Sequence, residues 1–470
     1  MSDANSMSPP KMSTLTPYLK TSYSAADLTF SLMVTLTNTY AQIFLTDVAF
    51  FPTAIAGSIL FFGRILDAVS APPIGSLIEK SNMRWGKYRP WLVIGSVLTL
   101  IFNVLIFINW NGASEPVVAK AIFACIVYAA FCASTNLVYT GFTSLNSSLT
   151  SDPRERVKLS SLRNQGGSIG KILAGYLLLP MIHLFGGSDT FSVSGLFVTA
   201  AVTSVILVVG YVNLANASKG RDVMQEPQDS QAKAEVLTGK ETLKIILTNR
   251  PLLCLFGADV VRLLAYLVTL SIFPYFFIYV AKDPGAAPML FGTTAIAMLV
   301  GATLIRFLTR VLSKRNTYLL GLVILGISFI VANAFKETTY VMVGALVVGF
   351  VGYAFGSTTT TAMYADIVDY SEVKYGKNAR ANIFAMFQLS IKVSAILSTG
   401  IAGFGLTAIG YKAGTDPTPQ VVSGINFICL ALPIALCAIA IVLLLIYNLN
   451  NKKMDEVRAA LAEKHAAAGA

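Results

Sequence analysis

Gly63-Arg64-Ile65-Leu66-Asp67-Ala68-Val69-Ser70-Ala71-Pro72-Pro73-Ile74-Gly75 is the stretch whose reading decides the fold. It sits in an apolar run that begins near Phe51. Arg64 and Asp67 lie three residues apart and share one helical face. A run this long crosses a bilayer, which puts both charges at membrane depth. Ionisable groups there are costly, so they face a cavity or a partner. Pro72 and Pro73 are expected to weaken the helix just past the carboxylate and free carbonyls there. Asp67 is then either a coupling site or half of a silent ion pair with Arg64.

The composition agrees with a membrane setting. The chain has 470 residues, 55% hydrophobic and 13% charged, where soluble domains carry about 25% charged residues. The short alternating segments of a β-barrel are missing. An all-α membrane protein follows, with about twelve transmembrane helices by the length criterion. The spans read as 23–44, 52–78, 91–108 and 117–149, then two ending near Leu184 and Leu214. After these come 253–280, 288–308, 318–335, 340–368, 382–409 and 422–449. The net charge of +11 sits largely in short loops. That is topology signalling rather than nucleic-acid binding. Basic loops alternate with loops nearly free of Lys and Arg, which places both termini in the cytoplasm and the chain in the cell (inner) membrane. Residues 1–20 are polar and carry no apolar core of a cleavable signal. The five cysteines lie in apolar runs without metal-type spacing and read as small packing residues. Neither a nucleophile–base pair nor a metal cluster is legible, so no enzyme and no cofactor are expected, apart from a coupling ion, H+ or Na+.

The chain divides into 1–216, an N-terminal six-helix bundle; 217–245, a polar cytoplasmic link; 246–450, a C-terminal six-helix bundle; and 451–470, a cytoplasmic tail. Asp152-x-x-Glu155 precedes Arg163, and Asp369-x-x-Glu372 precedes Arg380 at the same spacing. Each pair is read at the junction after the fourth span of its half. Two pseudo-symmetric halves mark transporters with a midplane site between repeats.

Candidate site residues follow from charge at depth. Asp27 either lines a cavity or caps the first helix near the interface. Ser31, Thr35, Asn38 and Tyr40 form a polar stripe beyond it, unless the hydroxyls bond back to their own helix. Asp47, next to Thr46, reads as an interfacial turn. In the fourth span Ser134, Thr135, Asn136, Tyr139 and Thr140 make a polar patch that can complete a cation shell around Asp67 and Ser70. Lys392 has no acidic neighbour in sequence, and a buried lysine without a carboxylate loses its proton. Asp67 is its candidate partner across the halves. Lys171, Arg306 and the pair Asp259 and Arg262 are further intramembrane charges. Ser357 and Thr358 to Thr361 line the tenth span with hydroxyls, suited either to a sugar or to helix packing. The substrate set is therefore Asp27, Ser31, Asn38, Arg64, Tyr139, Arg163, Ser357, Gln388 and Lys392. Glu79, Lys87, Arg89, Asp152, Arg156, Asp369, Glu372 and Arg380 read either as a cytoplasmic gate of salt bridges or as topology signals.

Arg64-x-x-Asp67-Ala68 with Pro72, Pro73 and Gly75, then Arg84-Trp85-Gly86-Lys87-Tyr88-Arg89-Pro90-Trp91, resembles the glycoside–pentoside–hexuronide cation symporter family. Asp152-Pro153-Arg154-Glu155-Arg156, Ala365-Asp366-Ile367-Val368-Asp369-Tyr370 and the Lys392 span extend the likeness over nearly the whole chain. That family, which includes the melibiose permease, has the major facilitator fold. The resemblance implies cation-coupled sugar symport by alternating access, with a small-molecule sugar or glycoside and the lipid bilayer as partners. It also implies a pair of aspartates one turn apart on the second helix. Asp67 matches the first, but the second position holds Ala71. Loss of a carboxylate removes charge and ligand oxygens from a sodium site, so a proton is favoured over sodium. The first-helix sugar-binding acid of the melibiose permease falls at Ser31, and its fourth-helix acid near Tyr139, which departs from an α-galactoside site. An ion-independent facilitator, a lipid or lysolipid carrier and a transporter-like sensor are the alternatives.

Overall fold

A computed structural model describes residues 15–81, 83–108, 116–150, 153–187, 191–222, 245–283, 286–375, 379–413, 415–449 and 451–468. The first half comprises α1 (Pro17–Ile43), α2 (Thr53–Lys80), α3 (Arg89–Ile106), α4 (Val117–Leu149), α5 (Pro153–Gly186) and α6 (Val193–Ala217). The second comprises α7 (Arg250–Tyr275), α8 (Ala286–Val311), α9 (Lys314–Ala334), α10 (Thr339–Tyr375) and α11 (Arg380–Ala408). It closes with α12 (Pro419–Ile446). A last helix, α13 (Asn451–Ala468), follows. Among the described residues 11 helices are long and apolar enough to cross a membrane. α1 is not one of them, because Lys20, Asp27 and many hydroxyl and amide side chains dilute its apolar residues. It packs against α5 and α6 instead of facing lipid all round. Counting α1, the bundle has the twelve spans expected. Large apolar side chains such as Ile122, Ile126, Val209 and Ile327 stay exposed on its outside, where lipid tails are their natural solvent.

Each half begins alike. α1 runs into a π-helical turn at Phe44–Val48, and α7 into another at Phe276–Val280. These turns mark one face of the bundle, here the far face. Arg84, Lys87 and Arg89, at the other end of α2 and start of α3, mark the basic face. The halves meet through α2 with α11, α5 with α8 and α1 with α7. Toward the far face α2 and α11 touch backbone to backbone. A Cβ on Gly57 would meet the Gly403 Cα at 2.6 Å, so only glycine permits that approach.

Two sequence expectations are corrected here. α2 runs unbroken through Pro72 and Pro73. Both prolines are exposed, and the bonded turns on either side hold the helix across the missing donors. The shared spacing of Asp152 to Arg163 and Asp369 to Arg380 is not a structural repeat. Asp369 lies inside α10 and Arg380 opens α11, whereas Arg163 lies well inside α5. Within the stretch 451–470 lies α13, docked on the basic face. There Arg458 reaches Asp366 at 3.6 Å, and Lys314 holds the same carboxylate at 2.6 Å.

The central link lies mostly outside the described residues, but its start has a task. Asp222 folds back and accepts hydrogen bonds from the backbone N–H groups of Tyr88 (2.8 Å) and Arg89 (2.9 Å). These are among the donors a helix start leaves unpaired. Arg89 then donates to the carbonyls of Ala215 (2.6 Å) and Trp85 (2.7 Å). We expect Asp222→Ala to cost about 1 kcal/mol, as loss of a helix cap does. A lower thermal midpoint for the purified variant checks this, and an unchanged midpoint counts against the cap. Nearby, hydrogen bonds from Lys158 and Lys20 hold the Glu155 carboxyl below the usual carboxylate range and tie α1 to α5.

Candidate functional site

At mid-depth α2, α4 and α11 bring four of the predicted residues together. The Lys392 Nζ lies 2.6 Å from Asp67 Oδ2. Asn136 donates through Nδ2 to Asp67 Oδ1 (2.8 Å), to the Asp67 carbonyl (2.8 Å) and to Ser70 Oγ (3.1 Å). Its own Oδ1 accepts from Lys392 at 3.2 Å. Every polar atom of the Asn136 amide thus joins the two charges. Asp67 is 7% exposed, and it comes from one half while Lys392 comes from the other. Thr135 stands apart, because its hydroxyl donates to the Cys132 carbonyl of its own helix. Arg64 does not take Asp67 as its salt-bridge partner. It donates to Asn38 Oδ1 and lies 5.8 Å from the centre of the Tyr128 ring.

Beside this cluster lies a cavity of about 550 Å³ between the halves. Asp27, Ser31, Asn38 and Tyr139 of the predicted set line it. Asp27 therefore lines a cavity rather than capping α1. Gly167 on α5 makes room for it, since a Cβ there would collide with the Asp27 carboxylate. Phe30 and Tyr139 stack with ring centres 5.0 Å apart at 27°, giving the cavity an aromatic wall. Arg163 is not among the residues lining the cavity, and it lies within the field of Tyr23 and Asp27. Ser357 donates back to the Ala354 carbonyl of its own helix. Neither Ser357 nor Gln388 is among the residues lining this cavity.

The cavity also holds residues that the sequence reading left out: Asn164, Ser168, Lys171, Tyr266 and Thr294. Lys171 had been visible as a charge at depth. Asn164 and Ser168 lie in the polar stretch 163–168, and Tyr266 and Thr294 in apolar runs, and no spacing marks any of them.

Asp47 is a further correction. It is no simple interfacial turn. Its carboxylate accepts from Tyr279 (2.8 Å) and from Tyr411, both in the second half, and from its neighbour Thr46 (2.5 Å). Thr46 also bonds Tyr275 across the seam at 2.7 Å, and Thr407 donates to Thr53 at 2.9 Å. The π-helical turn at the end of α1 aims Asp47 into this cluster. These bonds join the two halves at the far face.

The predicted gate residues on the basic face sit differently. Lys87 lies over the Tyr88 ring at 5.5 Å, and Arg156 donates to the Thr150 carbonyl at 2.7 Å. Arg89 is engaged with carbonyls of its own half, so it is a structural clamp rather than an ion-pair gate. Asp369 lies near Asp366, Arg458, Glu372 and Lys314, all in the second half. Asp152 lies outside the described residues, as do the side chains of Glu79 and Arg380. Asp259 and Arg262 pair as expected, at 2.5 Å and almost fully buried.

Comparison with known proteins bears on this architecture. A family model described as MFS/sugar transport protein matches residues 22–451. The isoprimeverose transporter of Lactiplantibacillus pentosus is 29% identical over 450 residues, covering 95% of this chain and 91% of that protein. The glucuronide carrier protein homolog of Escherichia coli (strain K12) is 26% identical over 446 residues, covering 93% of each. The fold is also that of a bacterial homolog of the human lysosomal transporter Spinster in an inward-facing state. That match has a TM-score of 0.69 at 13% identity, covering 95% of this chain and 98% of that one. The nucleoside transporter NupG matches with a TM-score of 0.64 at 15% identity, covering 92% and 100%. The chain, a multi-pass membrane protein of two six-helix halves, belongs to the MFS/sugar transport protein family.

Proposed function

We propose that this chain moves a sugar or glycoside across the cell (inner) membrane by alternating access, in symport with a cation, with both termini in the cytoplasm. The observation that carries this reading is the Asp67–Lys392 pair, which joins the two halves beside the cavity between them. A carboxylate and an ammonium at membrane depth hold each other only while both are charged. A proton on Asp67 removes that attraction and frees Lys392, and the halves then part at mid-depth. Occupancy of Asp67 is thus linked to the rocking that exchanges access. With the basic face in the cytoplasm, the joined far face makes this the inward-facing state.

A proton suits the site better than sodium. Hard cations want oxygen ligands, and Ala71 supplies none one turn from Asp67. The Lys392 ammonium also holds the place beside Asp67 that a metal cation would need. Because one carboxylate remains, an ion-independent facilitator is the second reading. The relatives named for an isoprimeverose transporter and a glucuronide carrier support a glycoside as cargo. The test is counterflow of labelled glycosides, pentosides and uronic acids in proteoliposomes. Exchange of at least one labelled sugar is expected. No exchange by a properly inserted protein for any of them contradicts the reading.

A further inference from the structure

We infer that the substrate carries an anionic group, a carboxylate or sulfonate on a sugar, and that the Lys171 ammonium receives it. This rests on the sugar-transport reading and narrows its substrate class. Among the described side chains at membrane depth around the site, two carboxylates, Asp27 and Asp67, face four cations: Arg64, Arg163, Lys171 and Lys392. Two of the cations are committed. Lys392 holds Asp67, and Arg64 holds Asn38 and lies over Tyr128. Arg163 lies near Tyr23 and Asp27 but is not among the residues lining the cavity.

Lys171 is different. It lies in the cavity wall formed by α5 and has no salt-bridge partner within 4 Å among the described residues. Asp27 feels its field, but Arg163 already shares that carboxylate. An excess positive charge at membrane depth is costly, and more so once the cavity closes and sheds water, unless an anion enters with the substrate. The rest of the wall suits the remainder of such a molecule. The Phe30–Tyr139 stack offers a face for a sugar ring, and Asn164 and Ser168 offer hydroxyl partners. About 550 Å³ lies within the range of small-molecule sites. The fully buried Asp259–Arg262 pair, one charge of each sign, is the balanced arrangement that the cavity lacks.

The experiment measures binding to the purified full chain by calorimetry. The probes are methyl glucoside against methyl glucuronide, and methyl galactoside against methyl galacturonide. Each pair differs only at the acid. In at least one ring series the uronide is expected to bind about tenfold or more tightly than its neutral partner. Lys171→Met should erase that preference by weakening the uronide about tenfold more than its neutral partner, while Lys171→Arg should keep it. Should Lys171→Met fold poorly, Lys171→Gln takes its place. Neutral sugars binding as well as the acids in both series overturn the inference alone. An acid preference that survives loss of the lysine charge overturns it too. If no sugar binds in either series, the inference falls, and the counterflow of labelled glycosides and pentosides decides the sugar-transport reading separately.

Discussion

Asp67→Asn is expected to abolish uphill accumulation of substrate while leaving downhill exchange within about tenfold of wild type, or about 1.4 kcal/mol. Asparagine keeps the shape and most hydrogen bonds of the carboxylate but cannot exchange a proton. Asn136 still has an acceptor at position 67. What is lost is the charge that holds Lys392. That leaves the ammonium, 29% exposed at its side chain, without a counter-charge at depth, where a charge costs about 2.5–3.5 kcal/mol. Adding Lys392→Ala removes the orphaned charge, so the double variant should be more stable than Asp67→Asn alone. Breaking one side of a buried pair is worse than removing both. Thermal midpoints of the two single variants and the double check this coupling, and strictly additive losses would argue that the pair is energetically silent.

Removing the two tyrosine hydroxyls that hold Asp47 should open the far face. Tyr279 and Tyr411 both donate to that carboxylate, and hydrogen bonds to charged groups contribute about 1.5–3 kcal/mol each. Losing both, in Tyr279→Phe with Tyr411→Phe, costs the joined state about 3 kcal/mol or more. Alternating access divides between states that differ by only a few kcal/mol, so the populations should move by about a hundredfold or more. Phe50 and Lys412 are exposed near this face, one in each half. Nitroxide labels on cysteines placed there, with Cys125→Ala to remove the half-buried thiol, report the separation by pulsed electron resonance. A new population at longer distance is expected. A distribution identical to wild type means the latch does not set the closed state.

Much of this arrangement was legible in the chain itself. Charge at depth drew attention to Asp67 and Lys392, and the polar patch of α4 pointed to Asn136. Their meeting is a tertiary fact, but a lysine without an acidic neighbour in its own run left few partners open. Asp47 was misread for a physical reason. A carboxylate next to a threonine at the end of an apolar run looks the same whether water or a facing tyrosine satisfies it. The tyrosines that do so lie more than two hundred residues away in sequence. Arg89 misled in a related way. Its charge read as one side of an ion pair, but its partners are carbonyls, which leave no mark on sequence. Pro72 and Pro73 showed the limit of local rules, since α2 carries both without a break. The polar residues of α5, α7 and α8 in the cavity wall needed the helix rotations that only packing sets.

The central claim is that Asp67 couples substrate movement to a proton through its bond with Lys392. The most direct measurement is accumulation of a transported sugar in sodium-free proteoliposomes under an imposed proton gradient, wild type beside Asp67→Asn. Wild type is expected to accumulate the sugar above its external concentration, and the variant only to equilibrate it. Equal accumulation by both proteins, or accumulation by wild type only when a sodium gradient is imposed, would contradict it.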